Sequence, residues 1–244
     1  MNAYEVMLDE YERELTTKRL DEIFSALKQR LVPFIKKVLD ASNAANIDGS
    51  VLISSTDQFD AKKQADLNNR IAKDIGYSFD QGRLDVSVHP FTVAVVPHDV
   101  RITTRYKASE FLQGLAGTIH ECGHGMYEQG LNADYFAEPV SAPLGMAIHE
   151  SQSLLWERHV GLSKHFWQYA WPIVQEHFEH LKSCEKSTFE VYRAVNQVEP
   201  IFIRVESDEV TYPLHIVLRY EIEKQLFDGT ITIEDLPKIG RASC

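Results

Sequence analysis

Cysteine is scarce in this chain. The three present, Cys122, Cys184 and Cys244, are odd in number and far apart, which excludes a disulfide framework and implies a reducing compartment. Basic charge is short as well: 25 Lys and Arg against 36 Asp and Glu leave a net charge of -11. Nucleic-acid phosphates and anionic bilayers both demand a basic face, so neither is an expected partner. No apolar run is long enough to span a bilayer, and there is no repeat, low-complexity tract or linker. The opening Met-Asn-Ala-Tyr-Glu-Val-Met-Leu-Asp-Glu is acidic and has no signal-peptide core, so the expected location is cytoplasmic. What remains is an ordinary globular composition, 44% hydrophobic and 25% charged, in a chain able to bury a sizeable core.

Helical spacing fills most of that chain. Over 17–39, Leu20, Ile23, Phe24, Leu27, Leu31, Phe34 and Ile35 share one face behind Thr16 or Thr17 as N-cap, and Pro33 predicts a kink or split. Residues 41–55 are rich in Asn, Ala, Gly and Ser and read as a loop; 59–75 read as a helix closed by Gly76. Between 84 and 104 the pattern turns to short β-branched runs punctuated by Pro90 and Pro97, which predicts a small two- or three-stranded antiparallel sheet. Ser109 is the expected cap of the next helix and Gly130 its end, with Phe111, Leu112, Leu115, Ile119 and Met126 as its apolar side. After a loop at 132–142, Pro143 should open a helix that runs to Val160 and stops at Gly161. An aromatic helix with Phe166, Trp167 and Trp171 follows, with a boundary expected at Pro172. Ser187-Thr188-Phe189-Glu190 has the form of a capping box. The last long helix should begin near 210–213 and end at Asp228-Gly229, and 238–244 has no apolar pattern. The fold class is mainly α with one small antiparallel sheet.

The chemistry centres on His120-Glu121-Cys122-Gly123-His124. Residues four apart share a helix face, so His120 and His124 can aim two imidazoles at one metal ion, and neutral imidazole suits zinc. Glu121, one step round the helix, can reach a metal-activated water and act as its general base. The bland alternative is a helix with two unrelated histidines. A catalytic zinc needs a third ligand, and Glu150 on the next helix is the choice, although alone it would pass for a solvated residue. Its neighbour His149 competes for that place and is expected instead to support Glu150 from behind. Cys122, between the ligands, is aimed away from them and reads as a small packing residue.

Five stretches, in order, resemble the carboxypeptidase Taq family, the thermostable-carboxypeptidase-1 type of metallocarboxypeptidases. They are His89-Pro90-Phe91, Asp99-Val100-Arg101-Ile102-Thr103, His120 to His124, His149-Glu150-Ser151-Gln152-Ser153, and Ile203-Arg204-Val205-Glu206-Ser207-Asp208-Glu209. The likeness extends from about Tyr4 to Leu236. It implies a gluzincin-like helical metallopeptidase fold over 1–244, zinc (or cobalt) held by His120, His124 and Glu150, and Glu121 as the catalytic glutamate. It further implies removal of the C-terminal residue of peptides by a homodimer. Arg204 becomes the expected grip on the substrate carboxylate, since a planar guanidinium pairs with a carboxylate through two bonds. Arg101 is expected to shape the cleft, and Tyr212 and His215 to donate to substrate or oxyanion. Relative to that family the chain is expected to lack an amino-terminal helical region and a C-terminal motif, and apolar faces left bare would favour self-association. The runner-up function is a truncated paralogue that keeps the metal site as a binding or structural module. An aminopeptidase or endopeptidase comes third: no Gly-x-Met-Glu-Asn stretch is present to anchor a substrate amine, and an endopeptidase would leave Arg204 idle.

Overall fold

The computed structural model describes residues 2–45, 47, 49, 52, 58–96 and 98–242. In chain order its main elements are α1 (Ala3–Asp9), α2 (Thr17–Ala45), α3 (Ala61–Ile75), β1 (Leu84–Val86), β2 (Thr92–Val96), β3 (Asp99–Thr104), α4 (Leu112–Gln129), α5 (Met146–Leu154), α6 (Lys164–His177), α7 (Thr188–Val195), α8 (Tyr212–Asp228) and α9 (Leu236–Ala242). The chain divides into two compact units, Ile47–Asn196 and the pair of segments Met1–Asn46 and Gln197–Cys244. The fold is mainly helical with one small sheet, as the periodicity implied.

The unit Ile47–Asn196 is built on an apolar core. Leu67 and Ile71 of α3, Leu115 and Ile119 of α4, and Trp167 and Val174 of α6 are buried together with Phe59, Phe111 and Phe178. α3 starts at Asp60, whose side chain accepts from the Lys63 amide, and ends at Gly76. The sheet lies against α4 through β3, whose Val100 and Ile102 are fully buried.

That sheet is mixed rather than antiparallel: β3 is central, β2 pairs with it antiparallel, and β1 pairs with it parallel. The cause is the short connection at 87–91. It crosses the end of β3, held there by the Thr103 side chain, which accepts from the Phe91 amide at 2.9 Å and lies 2.7 Å from the Ser87 hydroxyl.

Other expectations are corrected as well. α4 begins at Leu112 behind Phe111 and not at Ser109; Phe111 is buried and makes no side-chain cap, so its apolar packing starts the helix. Pro143 lies before α5, which opens instead at Gly145, with φ of 31°, a conformation that favours glycine. The helix does not run uniformly to Val160: it widens into π-helical turns over Leu155–Val160.

Neither Pro172 in α6 nor Pro33 in α2 breaks its helix. In both cases the carbonyl that loses its donor, on Gln168 and Gln29 respectively, belongs to an exposed residue, where water can take the bond. The capping box at Ser187 is present and opens α7.

In the other unit, α2 starts behind Thr16, whose hydroxyl accepts from the Arg19 amide. It continues through 41–45, part of the expected loop; of the remainder of 41–55, residues 46, 48, 50, 51 and 53–55 lie outside the described residues, as do Pro97, Ser243 and Cys244. α8 carries Pro213 in its first turn and ends at Gly229. The tail is partly helical as α9. α8 is tied to α1 and α2 by polar bonds. The Tyr4 hydroxyl donates to Glu223 at 2.9 Å, Tyr220 and Lys224 both donate to Asp21, and Lys28 pairs with Glu221.

Candidate metal centre

α4 brings the site together because it is buried almost all round at mid-length. One flank is fixed by α3, where Asn68 donates to the Gly114 carbonyl and the Thr118 hydroxyl. Another meets α5 so closely that a Cβ on Gly123 would lie 2.6 Å from the Gln152 carbonyl oxygen and from Cα of Ser153. Only glycine permits that approach, and the approach delivers α5 with Glu150 facing the two histidines.

His120, His124 and Glu150 each offer a ligand atom, all within 4.8 Å of one another. Oε2 of Glu150 lies 3.1 Å from Nε2 of His124 and 3.7 Å from Nε2 of His120. The opposite ring nitrogens are engaged elsewhere. Nδ1 of His120 is 2.7 Å from Oε2 of Glu157, and Nδ1 of His124 is 2.6 Å from Nδ1 of His149. Two imidazoles held from behind with one carboxylate between their Nε2 atoms are the donor set that zinc takes in a site with an open position, so these residues fit a divalent ion.

His149 therefore stands behind His124 and not behind Glu150, and its second nitrogen reaches Oε1 of Glu128 at 2.8 Å. Glu150 is steadied by Ser153, which donates to Oε2 at 3.0 Å. Burial alone would push the Glu150 carboxyl up; the hydrogen bond from His124 and the charges of His120 and His124 outweigh it and hold the group below the usual carboxylate range. For His120, burial opposes protonation, but Glu157, by hydrogen bond and charge, and then the charges of Glu150 and Glu121 raise its pKa above the ordinary imidazole value.

Glu121 is buried, and its Oε2 accepts from the Thr92 hydroxyl on β2 at 2.6 Å. Cys122 is fully buried in a small cluster with Ala72, Tyr77 and Ile102; burial, and then the charge of Glu121, push its thiol pKa up. It packs, and is not drawn into the cluster of ligand atoms.

Arg101 is exposed and forms a two-bond pair with Asp99, at 2.8 and 2.6 Å. Arg204, Tyr212 and His215 belong to the second unit. There Arg204 sits in a single 3-10 turn, Arg204–Glu206, and donates from Nη1 to the Tyr212 hydroxyl at 3.0 Å. His215 follows Tyr212 by one turn of α8.

Sequence reasoning did not single out Glu157, Glu128 or Thr92. Glu128 carried a legible signal, being one turn after His124 on the same helix face. Glu157 carried a weaker one, two turns after Glu150.

A family model of the carboxypeptidase Taq (M32) metallopeptidases matches residues 1–243. Carboxypeptidase 1 of Bacillus subtilis is 42% identical over 238 residues, which are 98% of this chain and 46% of that protein. Thermostable carboxypeptidase 1 of Thermus thermophilus is 40% identical over 96% of this chain and 45% of its own length. Among solved structures, Trypanosoma cruzi metallocarboxypeptidase 1 superposes with a TM-score of 0.88 at 37% identity, covering 97% of this chain and 48% of that one. The chain thus spans about half the length of the curated relatives it matches. The chain belongs to the carboxypeptidase Taq (M32) family of metallopeptidases.

Proposed function

We propose that this chain is a metal-dependent carboxypeptidase that hydrolyses the C-terminal peptide bond of peptides, with Glu121 as general base. One observation carries the reading: His120, His124 and Glu150 converge beside a buried glutamate that is itself held by a hydroxyl. These three residues would hold one divalent ion, with zinc favoured by the donor set and cobalt the other candidate. Bound there, such an ion supplies Lewis acidity, which acidifies a water and polarises the scissile carbonyl. Glu121 takes the proton of the attacking water and later delivers it to the leaving nitrogen. Thr92 holds Oε2 of Glu121, which leaves Oε1 for that exchange.

Arg204 is the proposed grip on the free carboxylate of the peptide. Its guanidinium has no carboxylate partner among the described residues, and Tyr212 both accepts from Nη1 and presents its ring face, 5.9 Å from the guanidinium carbon. Tyr212 and His215 are proposed donors to substrate or oxyanion, and Arg101, through Asp99, shapes the strand it lies on. The exposed apolar side chains, among them Phe136, Val140, Leu144 and Phe202, support self-association as a homodimer, which sedimentation would test. No helix among the described residues is long and apolar enough to cross a membrane. The described cysteines are free thiols, in keeping with a reducing, cytoplasmic setting.

The deciding experiment pairs metal analysis with digestion of free-acid and C-terminally amidated peptides. Glu121→Gln should keep stoichiometric metal and lose activity, and amidation should protect the peptide from the unmodified protein. Equal cleavage of both peptides would sink the carboxypeptidase assignment and leave a metal hydrolase. Metal retention without any peptide release would favour the binding module instead.

A further inference from the structure

We propose that Glu128 and His149 are positioning residues that fix the ring of His124 with its proton on Nδ1 and its lone pair on Nε2. The proposal rests on the metal-site reading above. Nε2 of His149 lies 2.8 Å from Oε1 of Glu128, and Nδ1 of His149 lies 2.6 Å from Nδ1 of His124. An ionised carboxylate only accepts, so the proton between Glu128 and His149 belongs to Nε2 of His149. A neutral His149 then has only a lone pair on Nδ1, and His124 must donate to it. That leaves Nε2 of His124, 3.1 Å from Oε2 of Glu150, as the nitrogen whose lone pair a metal ion would take in place of the proton it donates to Glu150. The opposite order, with His149 carrying two protons, would put the His124 proton on Nε2 and abolish the ligand.

Three further features show that the chain is built for this. Its members are shielded: the side chains of His149 and Glu128 are only 14% and 13% exposed, so water is poorly placed to replace either bond. The Tyr127 ring meets His149 edge-on, with centroids 5.0 Å apart. His149 and Glu150, neighbours in sequence, address the two nitrogens of one ring, one from behind and one from in front. The two metal-site histidines are therefore oriented differently. His120 has its carboxylate in direct contact, through Glu157, whereas His124 reaches its carboxylate across an intervening imidazole.

The test measures zinc dissociation constants by chelator competition, together with nitrogen chemical shifts of the histidines in the zinc-loaded protein. His149→Phe and Glu128→Leu should each weaken zinc binding by about 10–100-fold while far-ultraviolet dichroism stays unchanged. His149→Gln should stay within about threefold of the unmodified protein, because its amide can accept from His124 and donate to Glu128. The nitrogen shifts should report His124 protonated on Nδ1. The proposal is overturned if folded His149→Phe or Glu128→Leu binds zinc as tightly as the unmodified protein, or if the His124 proton lies on Nε2. Should neither of those variants fold, the nitrogen shifts of the unmodified protein decide alone. An unmodified protein that binds no zinc would instead sink the metal-site reading itself, and this proposal with it.

Discussion

Different forces hold each of the two units together internally. In Ile47–Asn196 the helices meet through buried aromatic and aliphatic side chains, and α4, which carries two of the proposed ligands, is buried at mid-length. In the other unit, Tyr4, Ile35, Val217 and Tyr220 are the buried apolar side chains among the described residues, and helices are joined through Asp21, Glu221 and Glu223. A metal site needs ligands set to within fractions of an ångström, and the proposed one stands on the unit whose helices meet through buried side chains. The candidate grip on substrate stands on the unit whose helices are joined by groups that titrate.

The sharpest way to break this contrast is to damage the core. Trp167 is almost fully buried and donates to the Gly161 carbonyl, so Trp167→Ala should cost about 3–5 kcal/mol in denaturant unfolding and release metal. Tyr220→Phe, which removes the hydroxyl bonded to Asp21 and to the Thr17 carbonyl, should cost about 1–2 kcal/mol and leave metal in place. Equal costs would erase the distinction between the units.

Next in size, Arg204→Ala should lower kcat/KM on free-acid peptides by about 2–5 kcal/mol, the loss expected when a charge-assisted pair is deprived of one partner. Metal content should not change; if the metal were lost as well, Arg204 would belong to the scaffold. Gly123→Ala should cost about 1–3 kcal/mol by forcing α4 and α5 apart, with zinc affinity falling further than stability because Glu150 moves with α5.

The smallest effect is acidic. The hydrogen bond from Lys224 is the main cause holding the Asp21 carboxyl below its ordinary value; burial opposes it and Tyr220 assists. A folded-state pKa below the unfolded value, about 3.9, stabilises above that pH and is lost as the pH falls through the folded value. Amides of α8 should therefore lose hydrogen-exchange protection below about pH 4, before those of α3. Asp21→Asn should reproduce the effect at neutral pH, at about 0.5–1 kcal/mol because the pair is part-exposed. Uniform loss of protection across both units would count against this.

Much of the site was legible in the chain. The four-residue spacing of His120 and His124 needed only helical geometry; Glu150 was a choice among residues of the following helix, and alone it would pass for a solvated one. The residues behind them were harder to read. Thr92 reaches Glu121 because a five-residue connection carries β2 to the free side of β3, and strand order is not written in local spacing. His149 was seen as a supporting residue but attached to the wrong ligand, since its direction depends on how closely Gly123 lets α5 approach. Pro172 misled for the opposite reason, as did Pro33 where a split was expected: local chemistry disfavours proline in a helix, but the exposed surroundings forgive the missing bond.

The π-helical turns at Leu155–Val160 give the site a particular tolerance of changes in chain length. A widened turn accommodates one residue more than an α-helical turn, so a deletion there can be absorbed by tightening the ladder of backbone bonds without breaking it. What such a deletion cannot preserve is phase: residues beyond it rotate about the helix axis, and Glu157 would swing off Nδ1 of His120. Removing Arg158 or His159 tightens the turn just past Glu157, and removing Leu155 or Trp156 tightens it just before. Only the second pair should turn the carboxylate away, giving proteins that stay helical by dichroism and hold zinc poorly. The irregular turn thus works as a vernier, trading one residue of slack for the angular setting of a single carboxylate.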